Sequence, residues 1–390
     1  MIRRLAPILG ITFIDILGFS MLIPMLPYFV THFGAPPLVA GLLFTTFSLC
    51  QLIAAPLWGN ASDRLGRKYV LIISQIGATI GWAMLAFAPN LVVVFIARII
   101  EGFSGGNISI TQAYVADLVE PNERARAFGY IGATFAAAMV FGPVGGGVLF
   151  ARYGFSAPFL AAAGLQFLTL LMTYFTLPES RKLAGDEEPS VGLAEVFATF
   201  HNEHLAPILR QKLALSLALY AYYSVIALYL AGQLGFTLQQ TDIAFAIYAA
   251  FTVLVNGLLV GRVSERIGNR QMSTIGLALL VLALLLLPFV HAITVLAVAY
   301  ASLTIGIGFA STGITALISS AASEREQGTV LGVSSSLDSV AGVIAPPIST
   351  GMLTRFGSPY AAVESTVFAI LALILGLDAE RKRVNARAES

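Results

Sequence analysis

Residues 59–68 read Gly59-Asn60-Ala61-Ser62-Asp63-Arg64-Leu65-Gly66-Arg67-Lys68. The chain returns to that pattern 202 positions later, as Gly261-Arg262-Val263-Ser264-Glu265-Arg266-Ile267-Gly268-Asn269-Arg270. Four of the ten positions are identical and four more are conservative. Three further landmarks keep the register. Asn122-Glu123-Arg124 matches Ser323-Glu324-Arg325 at an offset of 201, and Pro143 matches Pro346 at 203. Arg152-Tyr153-Gly154 matches Arg355-Phe356-Gly357, again at 203. An offset near half of 390 residues describes a unit of about 200 residues used twice.

What the unit is made of follows from composition. Apolar side chains make up 57% of the chain and charged ones 11%, with a mean hydropathy of +0.84. Soluble domains carry roughly 25% charge and roughly 45–50% apolar residues, so the soluble classes are excluded and the apolar surface must face lipid. Apolar stretches lie near 6–30, 38–60, 70–88, 91–116, 127–151, 157–177, 208–232, 241–261, 272–290, 293–321, 329–353 and 359–378. They run from 19 to 29 residues, against the ~20 that a membrane-spanning helix needs. Of 22 Lys and Arg, all but Arg98, Arg152 and Arg355 lie at the N-terminus, in alternate loops, in the 181–212 region or at the C-terminus. The positive-inside rule then puts both termini in the cytoplasm, so the number of spans is even. The expectation is an all-α polytopic inner-membrane protein of twelve transmembrane helices. It comprises an N-terminal six-helix bundle (1–180), a cytoplasmic linker (181–207) and a C-terminal six-helix bundle with a short tail (208–390). Two bundles in the same orientation form a parallel repeat, and rocking them about a shared midline cavity suits alternating access. Arg3-Arg4 before the first apolar run is expected to flank an uncleaved helix, because the run contains Asp15 and lacks a small-x-small site.

The linker holds Arg181, Lys182, Asp186, Glu187, Glu188, Glu195 and Glu203, with Leu193, Val196, Phe197 and Phe200 on one face of a short interfacial helix. A net charge of +1 without a basic run excludes a nucleic-acid partner, and the single Cys50 excludes a disulfide framework or cysteine metal cluster. There is no GxxxxGK[ST] and no HExxH, and Gly306-Ile307-Gly308 lies inside an apolar span. No cofactor, metal or catalytic set is expected. The partners are a small-molecule substrate, protons and the bilayer, for a protein acting as a monomer.

Ionisable groups inside a bilayer cost about 2.5–3.5 kcal/mol each at mid-helix and mark function by default. Asp15, Arg98, Glu101 and Asp338 qualify. Asp15 and Asp338 lie nine residues in from the starts of their spans, and Glu101 ten from the outer end of its own. At 1.5 Å per residue that is about half of a ~30 Å core. A carboxylate at low dielectric favours its neutral form, and a nearby arginine opposes this. Arg98 and Glu101, three apart, share a helix face. Protonating Glu101 or Asp15 would free Arg98 and couple proton movement to substrate; the alternative is a permanently ionised structural pair. Gly102, Gly105, Ser109 and Gln112 extend the Arg98–Glu101 face into a polar stripe. Gln51, Gln166 and Asn256 read either as cavity-facing or as interhelical hydrogen-bond partners. Tyr220, Tyr222, Tyr223 and Tyr229 crowd the seventh span with Gln233 near its outer end, and aromatic walls suit lipophilic, planar or cationic compounds.

Several of these stretches resemble a known family. Gly59-x3-Asp63-Arg64-x-Gly66-Arg67-Lys68 resembles the cytoplasmic loop signature of the major facilitator superfamily, between its second and third helices. Arg98-x2-Glu101-Gly102 resembles its arginine motif, with Glu101 where a Gln is usual. Gly142-Pro143-Val144-Gly145-Gly146 in the fifth span resembles the antiporter signature of drug/proton antiporters. Asp15-x2-Gly18, with Pro24 and Pro27 following, resembles the first helix of the twelve-span drug antiporters. Ala113-Tyr114-Val115-Ala116-Asp117, Glu123-Arg124-Ala125-Arg126 and Leu177-Pro178-Glu179-Ser180 are similar to the tetracycline/proton antiporters. The resemblance implies a proton-coupled exporter of drug-like or amphipathic molecules; the runner-up is proton-coupled or facilitative uptake of a sugar or other metabolite, and a non-transporting membrane receptor or scaffold ranks last, since it has no need of midplane charges. It also implies a latch in which Asp63 and Arg67 pair, with Asp117 as third partner, to stabilise the outward-open form. The bland reading of that loop is a positive-inside anchor. In the second copy Asn269 replaces the arginine, so a latch there is weaker. Gly142, Pro143, Gly145 and Gly146 are expected to bend the fifth helix and pack it closely.

Overall fold

The computed structural model describes residues 2–105, 110, 111, 114, 115, 118, 119, 124–179, 205–290, 293–321 and 327–388. The structure is helical, with no strand among the described residues. In the first half the helices are α1 (Ile2–His32), α2 (Pro37–Leu65), α3 (Arg67–Ala86), α4 (Leu91–Ser104), α5 (Arg124–Tyr153) and α6 (Ala157–Thr176). In the second they are α7 (Ala206–Leu234), α8 (Leu238–Leu254), α9 (Gly261–Leu286), α10 (Ile293–Ala321), α11 (Gln327–Phe356) and α12 (Val363–Ala388). Nine helical stretches among the described residues are long and apolar enough to cross a membrane. One of these is the run Gln239–Phe289, which contains both α8 and α9.

That run departs from the expected loop at 262–271. A π-helical turn, Val255–Val260, carries α8 directly into α9, and only Gly268, with φ 80°, breaks the helical path. The first copy behaves alike: α2 continues past the apolar stretch to Leu65, and Gly66, with φ 100°, separates it from α3. Neither 60–65 nor 262–267 contains a helix breaker, so each helix runs on until a glycine turns the chain into a backbone region that L side chains avoid.

All six residues with positive φ among the described residues are glycines, and they form three pairs: Gly34 with Gly235, Gly66 with Gly268, and Gly154 with Gly357. The offsets are 201, 202 and 203. Gly235 ends α7 in the left-handed conformation, its N–H returning to Leu230 O.

By proximity the chain divides into two compact units, Met1–Ala35 with Leu42–Ala194 and Pro36–Gly41 with Glu195–Ser390. Within the first, α1 packs on α5 and α6, and α3 on α4 and α6. Within the second, α7 packs on α11 and α12, and α9 on α10 and α12. Shifting each helix number by six maps one set of neighbours onto the other, so the repeat holds in packing as well as in sequence. Small residues allow the contacts: Ala221, Ala341 and Ala345 are buried between α7 and α11, and Gly306 of α10 meets the backbone of Leu280 on α9. Gly306-Ile307-Gly308 is therefore a helix-packing feature. Gly308 faces Asn256 in the π turn.

Candidate functional site

Asn90 starts α4 by accepting from the Val93 N–H at 3.1 Å. Two turns on, Arg98 and Glu101 are both buried, at 0% and 4% exposure. Arg98 Nη1 donates to Glu101 Oε2. The helix spacing alone brings the two together; neighbours fix the rest. Phe47 of α2 lies under the guanidinium, 4.3 Å from its carbon to the ring centre, and stacks in turn on Phe19 of α1 at 5.5 Å. Gly81 of α3 lies against Glu101 Cγ, leaving no room for a side chain. Gly102 approaches the Phe47 carbonyl so closely that a Cβ would stand 2.5 Å from its oxygen. Arg98 Nε and Nη2 and Glu101 Oε1 make no hydrogen bond among the described residues. The pair is thus enclosed by α2, α3 and α4, half satisfied by itself, and held against an aromatic face.

Around it, Gln51 donates to Gly105 O at 3.1 Å, joining α2 to α4. Asp15 sits half-buried on α1, one turn before Phe19. Ser109, Gln112 and Asp117 lie outside the described residues, as does the Asp63 side chain. In α5, Pro143 removes the bond that Met139 O would accept. Ser20 of α1 donates to the neighbouring Ala138 O at 2.9 Å. Gly142 sits against Ser20 Oγ and Leu17 O, and Gly146 against Met21, whereas Gly145 has open space beside it.

The 59–68 segment is anchored by a residue that motif reading quoted without a role. Glu179, just beyond α6, accepts from the N–H of Arg67 at 2.8 Å and of Lys68 at 3.1 Å. Its carboxylate caps the N-terminus of α3. Lys68 Nζ donates to Tyr174 O at 2.7 Å, Tyr114 OH to Pro178 O at 2.8 Å, and Ser62 Oγ to Gly59 O at 2.8 Å. Arg64 is exposed. Arg67 Nη1 donates to Ser62 Oγ at 2.6 Å. In the second copy, Ser264 Oγ donates to Asn269 Oδ1 at the same 2.6 Å. Asn269 thus keeps the local contact while lacking the charge.

In the second unit Asp338 Oδ1 accepts from Lys212 Nζ at 2.7 Å and from Ser216 Oγ at 2.6 Å. Lys212, counted with the cytoplasmic charges of the 181–212 region, lies inside α7 and carries a partner there. Tyr222 and Tyr223 belong to a four-tyrosine cluster whose other two members the sequence does not point to. The Tyr222 and Tyr223 rings meet edge-on at 5.7 Å, and Tyr222 lies within electrostatic reach of Tyr248 of α8 and Tyr300 of α10. The Tyr248 and Tyr300 rings meet edge-on at 5.9 Å. Tyr229 donates to Leu287 O, which gives it a packing role. Gln233 is partly buried near the end of α7. Glu364, missed because it reads as an end charge, is buried in α12 and accepts from Ser349 of α11.

The profile of the Major Facilitator Superfamily matches residues 8–219 and 212–389. The chain belongs to the major facilitator superfamily. It is 29% identical, over 100% of this chain and 99% of the relative, to the tetracycline resistance protein, class C, of Escherichia coli. It is 27% identical to multidrug resistance protein 2 of Bacillus subtilis (strain 168), covering 94% of this chain and 91% of the relative. Among solved structures it resembles the human organic anion transporter MFSD10 (TETRAN), with a TM-score of 0.74 and 22% identity over 96% of this chain and 99% of that one. It also resembles a point mutant of the nucleoside transporter NupG, with a TM-score of 0.77 and 13% identity over 96% and 99%. These two likenesses are of fold. As a superfamily member the protein is a multi-pass inner-membrane transporter, acting on a small molecule from within the bilayer.

Proposed function

We propose that the protein is a proton-coupled exporter of drug-like or amphipathic small molecules, working by alternating access between bundles 1–180 and 208–390 joined by 181–207. It has twelve spans and both termini in the cytoplasm, and acts as a monomer. The observation that carries this reading is the buried Arg98–Glu101 pair, whose other polar atoms are left without hydrogen-bond partners among the described residues. An ion pair kept only for stability gains little at such a site, because desolvation offsets its attraction. A pair that changes state does gain: a proton on Glu101 ends the ion pair and leaves the charge of the Arg98 guanidinium on Phe47 uncompensated, changing the charge that a substrate meets. Asp15 is a second proton carrier. The relatives named for tetracycline and multidrug resistance support export. Gly142 and Pro143 give α5 a bend against α1, and Gly59, Asp63, Arg64, Gly66, Arg67, Lys68 and Asp117 form the latch. Gln51, Ser109, Gln112, Tyr222, Tyr223, Gln233 and Asn256 line the substrate path.

The test is reconstitution in liposomes with internal pH followed while candidate drugs are screened. Glu101→Gln and Asp15→Asn are expected to abolish drug-dependent proton flux. Substrate exchange with undiminished proton flux in both variants would overturn the coupling.

A further inference from the structure

The Lys212–Asp338 pair is asymmetric in a way that defines a site. The lysine side chain is 16% exposed and the aspartate 37%. Both donors, Lys212 Nζ and Ser216 Oγ, go to Oδ1, and no hydrogen bond reaches Oδ2 among the described residues. The open group of the pair is therefore the carboxylate. Lys212 is the seventh residue of α7, about 9 Å of helix rise from its start. A lysine so placed ordinarily extends its stem toward the interface. Here Ser216, one turn deeper, bonds the same oxygen, so the ammonium lies at the level of Ser216 and is held inward. Tyr220 and Tyr223 continue the line along α7, both within electrostatic reach of Asp338. Lys212, Ser216, Tyr220 and Tyr223 are spaced by four, four and three residues, which puts them on one helix face.

We infer that Asp338, with the Tyr220–Tyr223 face, binds an organic ammonium ion bearing an aromatic group, and that Lys212 is a tethered counter-ion which the ligand displaces. This rests on the transport reading above and names the substrate chemistry that the second unit accepts. A ligand ammonium reproduces the bond that Lys212 makes, and its aromatic part lies on the tyrosine rings. An anionic ligand seeking Lys212 would have to pass the exposed carboxylate oxygen, and like charge opposes that approach. The tether presents Lys212 to Asp338 at high local concentration, so the empty site is neutral and its affinity for outside cations is held down.

The experiment measures binding of 4-phenylbutylammonium and of neutral 4-phenylbutanol to the purified full chain by isothermal titration calorimetry. Wild type is compared with Lys212→Gln, Lys212→Arg and Asp338→Asn. Lys212→Gln removes the competitor and is expected to bind the ammonium about tenfold tighter. Asp338→Asn is expected to bind it about tenfold more weakly or not at all. Lys212→Arg keeps the pair intact, and its two-pronged grip on both carboxylate oxygens is expected to lower ammonium affinity severalfold without changing the melting temperature. The alcohol should bind all four proteins alike. Four results would overturn the inference: Lys212→Gln weakening ammonium binding as Asp338→Asn does, Lys212→Arg leaving it unchanged, both probes shifting together, or no protein preferring the ammonium to the alcohol. Because binding is read without a pH gradient, a failure of proton coupling in liposomes leaves this outcome unaffected.

Discussion

Glu179 holds the backbone N–H of Arg67 at 2.8 Å, across 112 residues of sequence. With its second oxygen on the Lys68 N–H, it satisfies two of the donors that the first turn of α3 leaves open. Losing a helix cap costs about 0.5–2 kcal/mol. Glu179→Ala should lower the melting temperature of the detergent-solubilised protein by several degrees, and Glu179→Gln by less, since the amide keeps one acceptor. Equal losses in the two variants would count against capping.

Gly66 and Gly268 share a positive φ but differ in surroundings. A Cβ at Gly66 would stand 2.5 Å from Glu179 Oε2, whereas nothing lies within 4 Å of one at Gly268. Gly268→Ala should therefore cost only backbone strain, about 1–3 kcal/mol. Gly66→Ala should cost more, because it also displaces the cap. Thermal unfolding of both variants checks the order.

The α1–α5 contact makes a sharper contrast. Gly142→Ala places a methyl against Ser20 Oγ and 2.7 Å from Leu17 O, while Gly145→Ala points into open space. Overpacking of this kind costs about 1–3 kcal/mol. Transport by Gly142→Ala should fall severely and Gly145→Ala should resemble wild type, as measured by drug efflux at matched expression.

Removing one member of a buried ion pair costs about 3–5 kcal/mol, because the other is left uncompensated. Arg98→Met alone should therefore destabilise the protein more than Arg98→Met combined with Glu101→Gln. A double-mutant cycle on melting temperatures reads the coupling. Additive losses would mean that the two side chains do not act on each other.

What was legible in the sequence was what local spacing determines. Arg98 and Glu101 are three residues apart, so the helix alone joins them, and the 59–68 repeat shows its turns because only glycine fits there. The partners supplied from a distance were not legible. Lys212 looked like one more charge on the cytoplasmic face, because only the tertiary structure brings α11, with Asp338, alongside α7. Gly81 carried no sign that its missing side chain makes room for Glu101, and Tyr248 and Tyr300 sit on separate helices that α7 gathers. The helix end before 262–271 lies later than the apolar stretch for another reason: charge suggests the end of a membrane helix, yet exposed Arg262, Glu265 and Arg266 are compatible with its continuing into water as far as Gly268.

The paired glycines have a consequence for descent. Between the two copies of the ten-residue loop, only four residues have stayed the same, and two of those are glycines. All six left-handed positions among the described residues have nevertheless kept their partners in register. Side chains drift because many of them satisfy the same lipid or the same neighbour; a reversed backbone admits only one. The common ancestry of the halves is thus preserved less in what the residues are than in which way the chain turns, and other duplicated transporters with faded sequence repeats can be sought by that mark.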